Sequence, residues 1–494
     1  MKKICFWIIA LSLPCVAFGE PVNLVQVFQQ ALTNDPTYLQ AISQRLSTRE
    51  GVPISLAALL PNVSLTANGP QLSRELNSGA AITVRSGTSK GYAIALNLTQ
   101  TIFDFAQFST LASQHALAKG ADATLNAATQ DLIVRVAKAY FQVLQDEDNL
   151  LYLKATRTAY QRQLDQVTEQ YNVGLKTITD VYTAKASYQT SVAGYIGAES
   201  TLANDRENLR AITNQYYPDL AKLNENFPLV SPKPSNINDW VTTAGQQNWA
   251  VRSAQYSAES SRQIIKQQFA GHLPTVQAQA GWENQYSYTS SSSVYNNGGS
   301  LRTETTSGTI AITIPLFAGG GVIAATRQAQ YNYQVALQQL EYQLRSTLAQ
   351  TRQSYLNIVS GISKIRADRQ SIQSAISSLE GMRAAYQVGT ETLVDVLNQQ
   401  QNVFQVQQQY AADRYSYVNN YFALKQAAGT LSFNDIEAVN VWLGSEKKQY
   451  TPPHLGPEKT QHTSHLKSEK KQHLPHHSHP TKTISQVPKP FATF

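Results

Sequence analysis

Apolar residues recur at every seventh position through much of the second half of the chain: Leu337, Leu344, Ile358, Ile365, Ile372, Leu379 and Tyr386, with Thr351 the one polar member. Leu340, Tyr355, Ile362 and Ile376 fill the alternate row. The first half carries the same pattern at Val136, Val143, Leu150, Leu164 and Tyr171, interrupted by Arg157. A seven-residue spacing keeps one seam turned toward a partner helix in a left-handed coiled coil. No proline lies between Phe105 and Val173, so the first stretch predicts a helix of about 70 residues, roughly 100 Å long at ~1.5 Å per residue. A different pattern precedes each long helix. Tyr92, Ile94, Leu96 and Leu98 alternate with small or polar residues, as do Val276, Ala278, Ala280 and Trp282, and then Ile310, Ile312 and Ile314. Period two predicts strands. In the first half they are expected over residues 61–68 and 91–103, joined by a Gly/Ser/Asn-rich loop at 69–90; the second half has its loop at 287–307.

The two halves are copies. Tyr171-Asn-Val-Gly174-Leu-Lys-Thr177-Ile-Thr-Asp180-Val181 returns about 215 residues later as Tyr386-Gln-Val-Gly389-Thr-Glu-Thr392-Leu-Val-Asp395-Val396, identical at six of eleven positions. Upstream, Tyr140-Phe-Gln-Val143 answers Tyr355-Leu-Asn-Ile358, and Leu60-Pro61 answers Leu273-Pro274. So long a period is a duplicated domain. Gly174 and Gly389 suit the left-handed position after a helix C-terminus. Thr177-x-x-Asp180 and Thr392-x-x-Asp395 read as capping boxes that open the next helix. Each long helix therefore turns tightly into an antiparallel hairpin.

The alternating segments suit membrane strands of ~9–11 residues per crossing, two per half and four per chain. Four strands cannot close, and open edges are not tolerated in lipid. Two copies would give an eight-stranded barrel filled by its own side chains; three leave room for a lumen. The pattern thus predicts an oligomer with a pore. No apolar run is long enough for a transmembrane helix. Trp282, Tyr286, Tyr288 and Tyr295 fit an interfacial aromatic girdle.

The termini read differently. Lys2 and Lys3, an apolar run over residues 4–13 and Ala17-Phe-Gly19 form a signal peptide over residues 1–19. Both cysteines leave with it, so the exported chain carries no disulfide. Residues 20–217 then form the first repeat, 218–239 a linker with Pro218, Pro228, Pro232 and Pro234, and 240–444 the second repeat. Residues 445–494 are a Lys/His/Pro-rich tail without apolar periodicity, expected to be disordered. The net charge of +7 is concentrated in the signal and this tail, leaving residues 20–444 neutral, so no nucleic-acid footprint is expected.

These residues together resemble the TolC family of outer-membrane efflux proteins, the channel-tunnels. The likeness runs over about residues 21–444 and rests on the duplicated turn, on Thr-Gln-Thr-Ile-Phe-Asp at 99–104, and on Gly271-His-Leu-Pro274. It implies a mixed α and β fold: four strands per chain complete a 12-stranded trimeric barrel in the outer membrane, continuous with a periplasmic α-helical barrel. The implied function is a passive exit duct for drugs or proteins in tripartite efflux or type I secretion. Its partners would be a periplasmic adaptor and an inner-membrane pump of the resistance-nodulation-division (RND), ABC or major-facilitator (MFS) class, with outer-membrane lipid around the barrel.

The resemblance also assigns a gate. Thr179 and Asp180 match the first-hairpin members of the bonds that close the periplasmic aperture, and Tyr386 matches the tyrosine bonded to Asp180. Glu391 stands where the family has a basic residue. Asp395 matches the upper carboxylate of the entrance, and Asn398 replaces the lower, so one dedicated carboxylate ring is expected, supplemented by Glu391. From spacing alone Asp180 and Asp395 are helix caps, and Tyr386 is a seam residue. Asp146-Glu147-Asp148 reads as a solvated helix face, since consecutive helical positions diverge. The His-rich tract at 476–479 is a weak metal binder by composition. No nucleophile triad or phosphate loop appears, so neither catalysis nor a cofactor is expected. The rival reading is a structural trimeric coiled-coil stalk or adhesin anchored in the outer membrane. It has no use for strands that interrupt the helices twice.

Overall fold

A computed structural model describes residues 21–77, 85–291 and 299–444. The expected signal peptide, the tail and Tyr295 lie outside these residues. Two short helices, α1 (Leu24–Asn34) and α2 (Pro36–Ala57), lead to strands β1 (Asn62–Asn77) and β2 (Arg85–Phe103), then to the long helix α3 (Phe105–Asn172) and its return α4 (Ile178–Thr213). After a short strand β3 (Lys222–Leu223) the order repeats: α5 (Ile237–Gln247), α6 (Trp249–Phe269), β4 (Thr275–Ser291), β5 (Gly299–Thr313), α7 (Gly321–Gln387) and α8 (Leu393–Ala427). Helix α9 (Phe433–Asn440) and strand β6 (Leu443–Gly444) follow. The order helix, helix, strand, strand, long helix, return helix occurs twice, as the sequence duplication requires. At 68 residues α3 has the expected length. Asp104 starts it by accepting from the backbone N–H groups of Ala106 and Gln107.

The four long strands form one antiparallel sheet in the order β1-β2-β4-β5, so β1 and β5 are its free edges. The register brings the apolar positions into rows. Leu65 faces Leu96, which faces Trp282; Val63 faces Leu98, which faces Ala280; Ala278 faces Ile310 and Val276 faces Ile312. Side chains alternate across a strand, so these rows share one face. Val63, Leu65, Ile94, Leu96, Ile310 and Ile312 are all exposed on it. Tyr92 pairs with Tyr286 on this face, their rings stacked at 5.4 Å between centroids. Trp282 and Tyr288 lie along the same row of β4.

The strands exceed expectation. β2 runs 19 residues and β4 17, well past an ~11-residue crossing. The segments at 69–77, 85–90, 287–291 and 299–307, expected as loop, continue the ladder. Backbone pairing between hairpin partners needs no apolar side chain, so it persists where the side chains turn polar.

The main core lies where α1, α9 and the linker surround the middle of the long helices. It joins Leu24 and Phe28, Val136 to Leu144 of α3, Ile358 to Ile365 of α7 and Tyr415 to Leu424 of α8. The heptad seam is buried here, whereas its ends Leu337 and Tyr171 are exposed in the single chain. The linker is fastened to α8. Arg414 donates to the carbonyls of Leu223 and Asn224 at 3.1 and 3.0 Å, and the Tyr417 hydroxyl exchanges two 2.8 Å bonds with the backbone of Val230. β3 then pairs with β6.

The expected solvated face at Asp146-Glu147-Asp148 is not one. Asp146 is buried; Glu147 meets Arg206 at 2.9 Å; Asp148 accepts from the Tyr415 hydroxyl at 2.7 Å. Asp146 and Glu147 both meet α4, at Asp205 and Arg206, while Asp148 meets α8, so each faces protein.

Candidate functional site

The duplicated turns form the tips of the two hairpins. Gly174 adopts φ +79 and Gly389 φ +81, conformations that a side chain would strain. At the first tip the N–H of Gly174 reaches the Tyr171 carbonyl at 2.9 Å, and that of Leu175 reaches Gln170 at 2.8 Å. At the second, Gly389 reaches Tyr386 at 3.2 Å and Thr390 reaches Ala385 at 3.0 Å. Both are Schellman closures, which satisfy carbonyls a helix end leaves open. Each return helix then opens on a reciprocal cap. The Thr177 N–H donates to Asp180 Oδ2 at 3.0 Å and the Asp180 N–H to Thr177 Oγ1 at 3.2 Å. Thr392 and Asp395 repeat this at 3.1 and 3.3 Å.

These bonds set the charge of both carboxyls. Asp180 is held below the usual carboxylate range, first by the Thr177 backbone N–H, then by its hydroxyl and the nearby charge of Lys176. Asp395 is lowered by the Thr392 hydroxyl and backbone, with the Glu391 carboxyl close by. Both stay ionised at neutral pH.

The tips pack against each other. Tyr160, Val167 and Ala184 of the first hairpin enclose Leu393 and Leu397 of α8, flanked by Leu164, Val181, Tyr188 and Tyr386. The Tyr160 hydroxyl donates to the Leu397 carbonyl at 3.3 Å. Tyr386 also borders a second cluster of Ala375, Leu379, Val396 and Val403 within the α7/α8 hairpin. It is the side chain at which both clusters meet.

Of the residues matched to a gate, Tyr386 lies at this junction and Asp180 on the first turn of α4, and no hydrogen bond joins them among the described residues. The Asp180 carboxylate is occupied by its own cap. The Tyr386 hydroxyl is buried without a hydrogen-bond partner. Its ring is capped by Lys176, whose Nζ sits 4.2 Å from the ring centroid. Thr179, Glu391 and Asn398 are exposed. Lys176 is the residue that sequence reasoning missed. The signal was present: Lys176 precedes the capping Thr177 as Glu391 precedes Thr392, so the two occupy equivalent positions of the repeat. Among the described residues no group of three or more His, Cys, Asp or Glu side chains is arranged to hold a metal. No described helix is long and apolar enough to cross a membrane.

The family described as Outer membrane efflux protein matches residues 27–215 and 240–430, one match on each copy of the repeat. Outer membrane protein TolC of Escherichia coli (strain K12) is 35% identical over 475 residues, which cover 94% of this chain and 94% of that protein. Alkaline protease secretion protein AprF of Pseudomonas aeruginosa is 28% identical over 449 residues, 89% of this chain and 91% of its own. Among solved structures, the outer membrane protein VceC from Vibrio cholerae superposes with a TM-score of 0.67 at 20% identity, over 82% of this chain and 96% of that one.

Proposed function

The chain belongs to the outer membrane efflux protein family, and from that premise we propose that it is the trimeric exit duct of an efflux or type I secretion system. The observation that carries this reading is the sheet: four strands with both edges unpaired and one continuous apolar face exposed. Unpaired edges are not stable in lipid. Joining β5 of one copy to β1 of the next removes every edge, and three copies give a twelve-stranded barrel wide enough for a lumen. The apolar face meets lipid, with Tyr92, Trp282, Tyr286 and Tyr288 near its border. The helical hairpins extend the lumen into the periplasm.

In this reading a periplasmic adaptor and an inner-membrane pump of the RND, ABC or MFS class deliver drugs or proteins to the hairpin tips, and the duct itself performs no catalysis. Thr179, Asp180, Tyr386 and Glu391 line a gate at the tips. Asp395 forms a carboxylate ring at the entrance, with Asn398 diluting it and Glu391 adding to it. A stalk or adhesin would have no lumen and no use for a second pair of strands.

Planar-bilayer recording tests the reading. Purified trimer should give single channels selective for cations, because three converging carboxylates favour them. Asp395→Ala should reduce that selectivity and weaken block by trivalent cations, because it removes the charged ring. A protein that inserts but never conducts is a stalk. Unchanged selectivity in Asp395→Ala would leave Asp395 a helix cap alone.

A further inference from the structure

The repeat-equivalent positions just before the capping threonines carry opposite charges, Lys176 in the first turn and Glu391 in the second. Lys176 forms no ion pair among the described residues, although its charge is felt at the Asp180 carboxyl on its own turn. Its Nζ lies instead over the Tyr386 ring, 4.2 Å from the centroid, well inside the ~6 Å over which a ring quadrupole attracts a cation. Lys176 stands in the loop between α3 and α4, and Tyr386 in the last turn of α7. The contact therefore joins the two hairpins directly. Tyr386 is held on its other sides by the two apolar clusters, and its hydroxyl makes no hydrogen bond.

We propose that Lys176 is the latch of the closed entrance, pinning the first hairpin tip to the second through the face of the Tyr386 ring. The positive charge absent at Glu391 is supplied from the equivalent position of the other repeat. The proposal rests on the gated-duct reading. It makes the aromatic face of Tyr386 the working surface, where a bond from tyrosine to Asp180 would make it the hydroxyl. Asp180 contributes through its own cap, which fixes the turn from which Lys176 projects. Glu391, exposed beside Asp395, keeps the turn of the second tip acidic.

The test uses full-length trimer in planar bilayers, with trimer content checked by detergent gel. Losing one cation–ring contact shifts a closed–open ratio by roughly 2- to 30-fold, the span from exposed to desolvated contacts. Lys176→Gln and Tyr386→Leu should each raise channel opening on this scale. Lys176→Arg, which keeps the cation, should open less than Lys176→Gln. Tyr386→Phe, which keeps the ring, should open less than Tyr386→Leu. Lys176→Gln combined with Tyr386→Leu should open no further than the larger single change. If Tyr386→Leu opens the duct and Lys176→Gln does not, the latch falls while the gated reading stands. If Tyr386→Phe opens it as much as Tyr386→Leu, the hydroxyl is the working group and the latch also falls. If a conducting trimer responds to neither position, the constriction lies elsewhere and the gate reading itself fails.

Discussion

The turn after α3 and the turn after α7 are built on one pattern and close with the same bonds, yet their surroundings differ. Leu393, on the first turn of α8, is 3% exposed; its repeat equivalent Ile178, on the first turn of α4, is 44% exposed. Leu397 is 5% exposed and its equivalent Tyr182 64%. Helix α8 buries residues along its whole length, with Val403, Phe404, Tyr415, Val418 and Phe422 among them. Helix α4 buries a few, mostly small ones such as Ala184, Ser191 and Ala198. Within the chain, the second return helix lies against both hairpins and the first lies outside. Duplication therefore preserved what neighbours in sequence decide, the glycine closure and the cap. It left free what neighbours in space decide, and there the copies diverged. The opposite charges of Lys176 and Glu391 are one product of that freedom.

Truncating the buried and the exposed member of one equivalent pair is the strongest way to break this contrast. Leu393→Ala should destabilise the protein by about 2–5 kcal/mol, the range for a buried large-to-small change. Ile178→Ala should cost less than about 1 kcal/mol. Thermal and denaturant melting of the detergent-solubilised trimer compare them. Equal losses would mean that another copy covers Ile178 and that the contrast belongs to the single chain only.

A second contrast lies higher in the hairpins, where each holds a pair of facing carboxyls. Burial, then the Asp205 carboxyl opposite, pushes Asp146 up to about 7; burial, then Asp413, pushes Asp368 up to about 6. Gln142 faces Asp146 at 3.3 Å, Gln409 holds Asp413 at 2.9 Å, and Lys364 partly offsets the rise at Asp368. A raised folded value means that protonation favours the folded hairpin. That stability is fully present below the ordinary value of 3.8 and is lost as pH rises, through about 7 for α3/α4 and about 6 for α7/α8. Amide exchange, corrected for its intrinsic rate, should show α7/α8 loosening at lower pH than α3/α4. Asp146→Asn should remove the first transition and stabilise that hairpin near pH 8. One shared transition would show that the hairpins open as a unit.

The glycines sharpen the side of the comparison on which the copies agree. Nothing lies within 4 Å of a side chain added at Gly174 or Gly389, so only the left-handed backbone opposes one. Gly174→Ala and Gly389→Ala should each cost about 1–2 kcal/mol and cost the same. Unequal melting shifts would show that the second tip's burial reaches into its turn.

Much of the molecule was legible in the order of its residues. The heptad spacing and the absence of proline set α3 to 68 residues, and period-two alternation located all four long strands. Strand ends were not legible, because the ladder runs on through Ser- and Thr-rich segments whose polar side chains hide it. The Asp146-Glu147-Asp148 run looked solvated because nothing nearby in sequence announces α4 and α8. At the tips, the capping roles of Asp180 and Asp395 followed from spacing, whereas Lys176 over Tyr386 links residues in different repeats, a contact that no local pattern encodes.

The sequence by itself therefore determined the helices, their caps, the turns and the alternation of the strands. These depend on backbone propensity and on side chains within a few positions of one another, and they come out alike in both copies. Only the tertiary structure decided which copy is buried, which carboxyls face each other, and that a lysine from the first turn covers the tyrosine of the second. Those outcomes depend on which helix packs against which, and equivalent positions of the repeat meet different neighbours once the chain has folded back on itself.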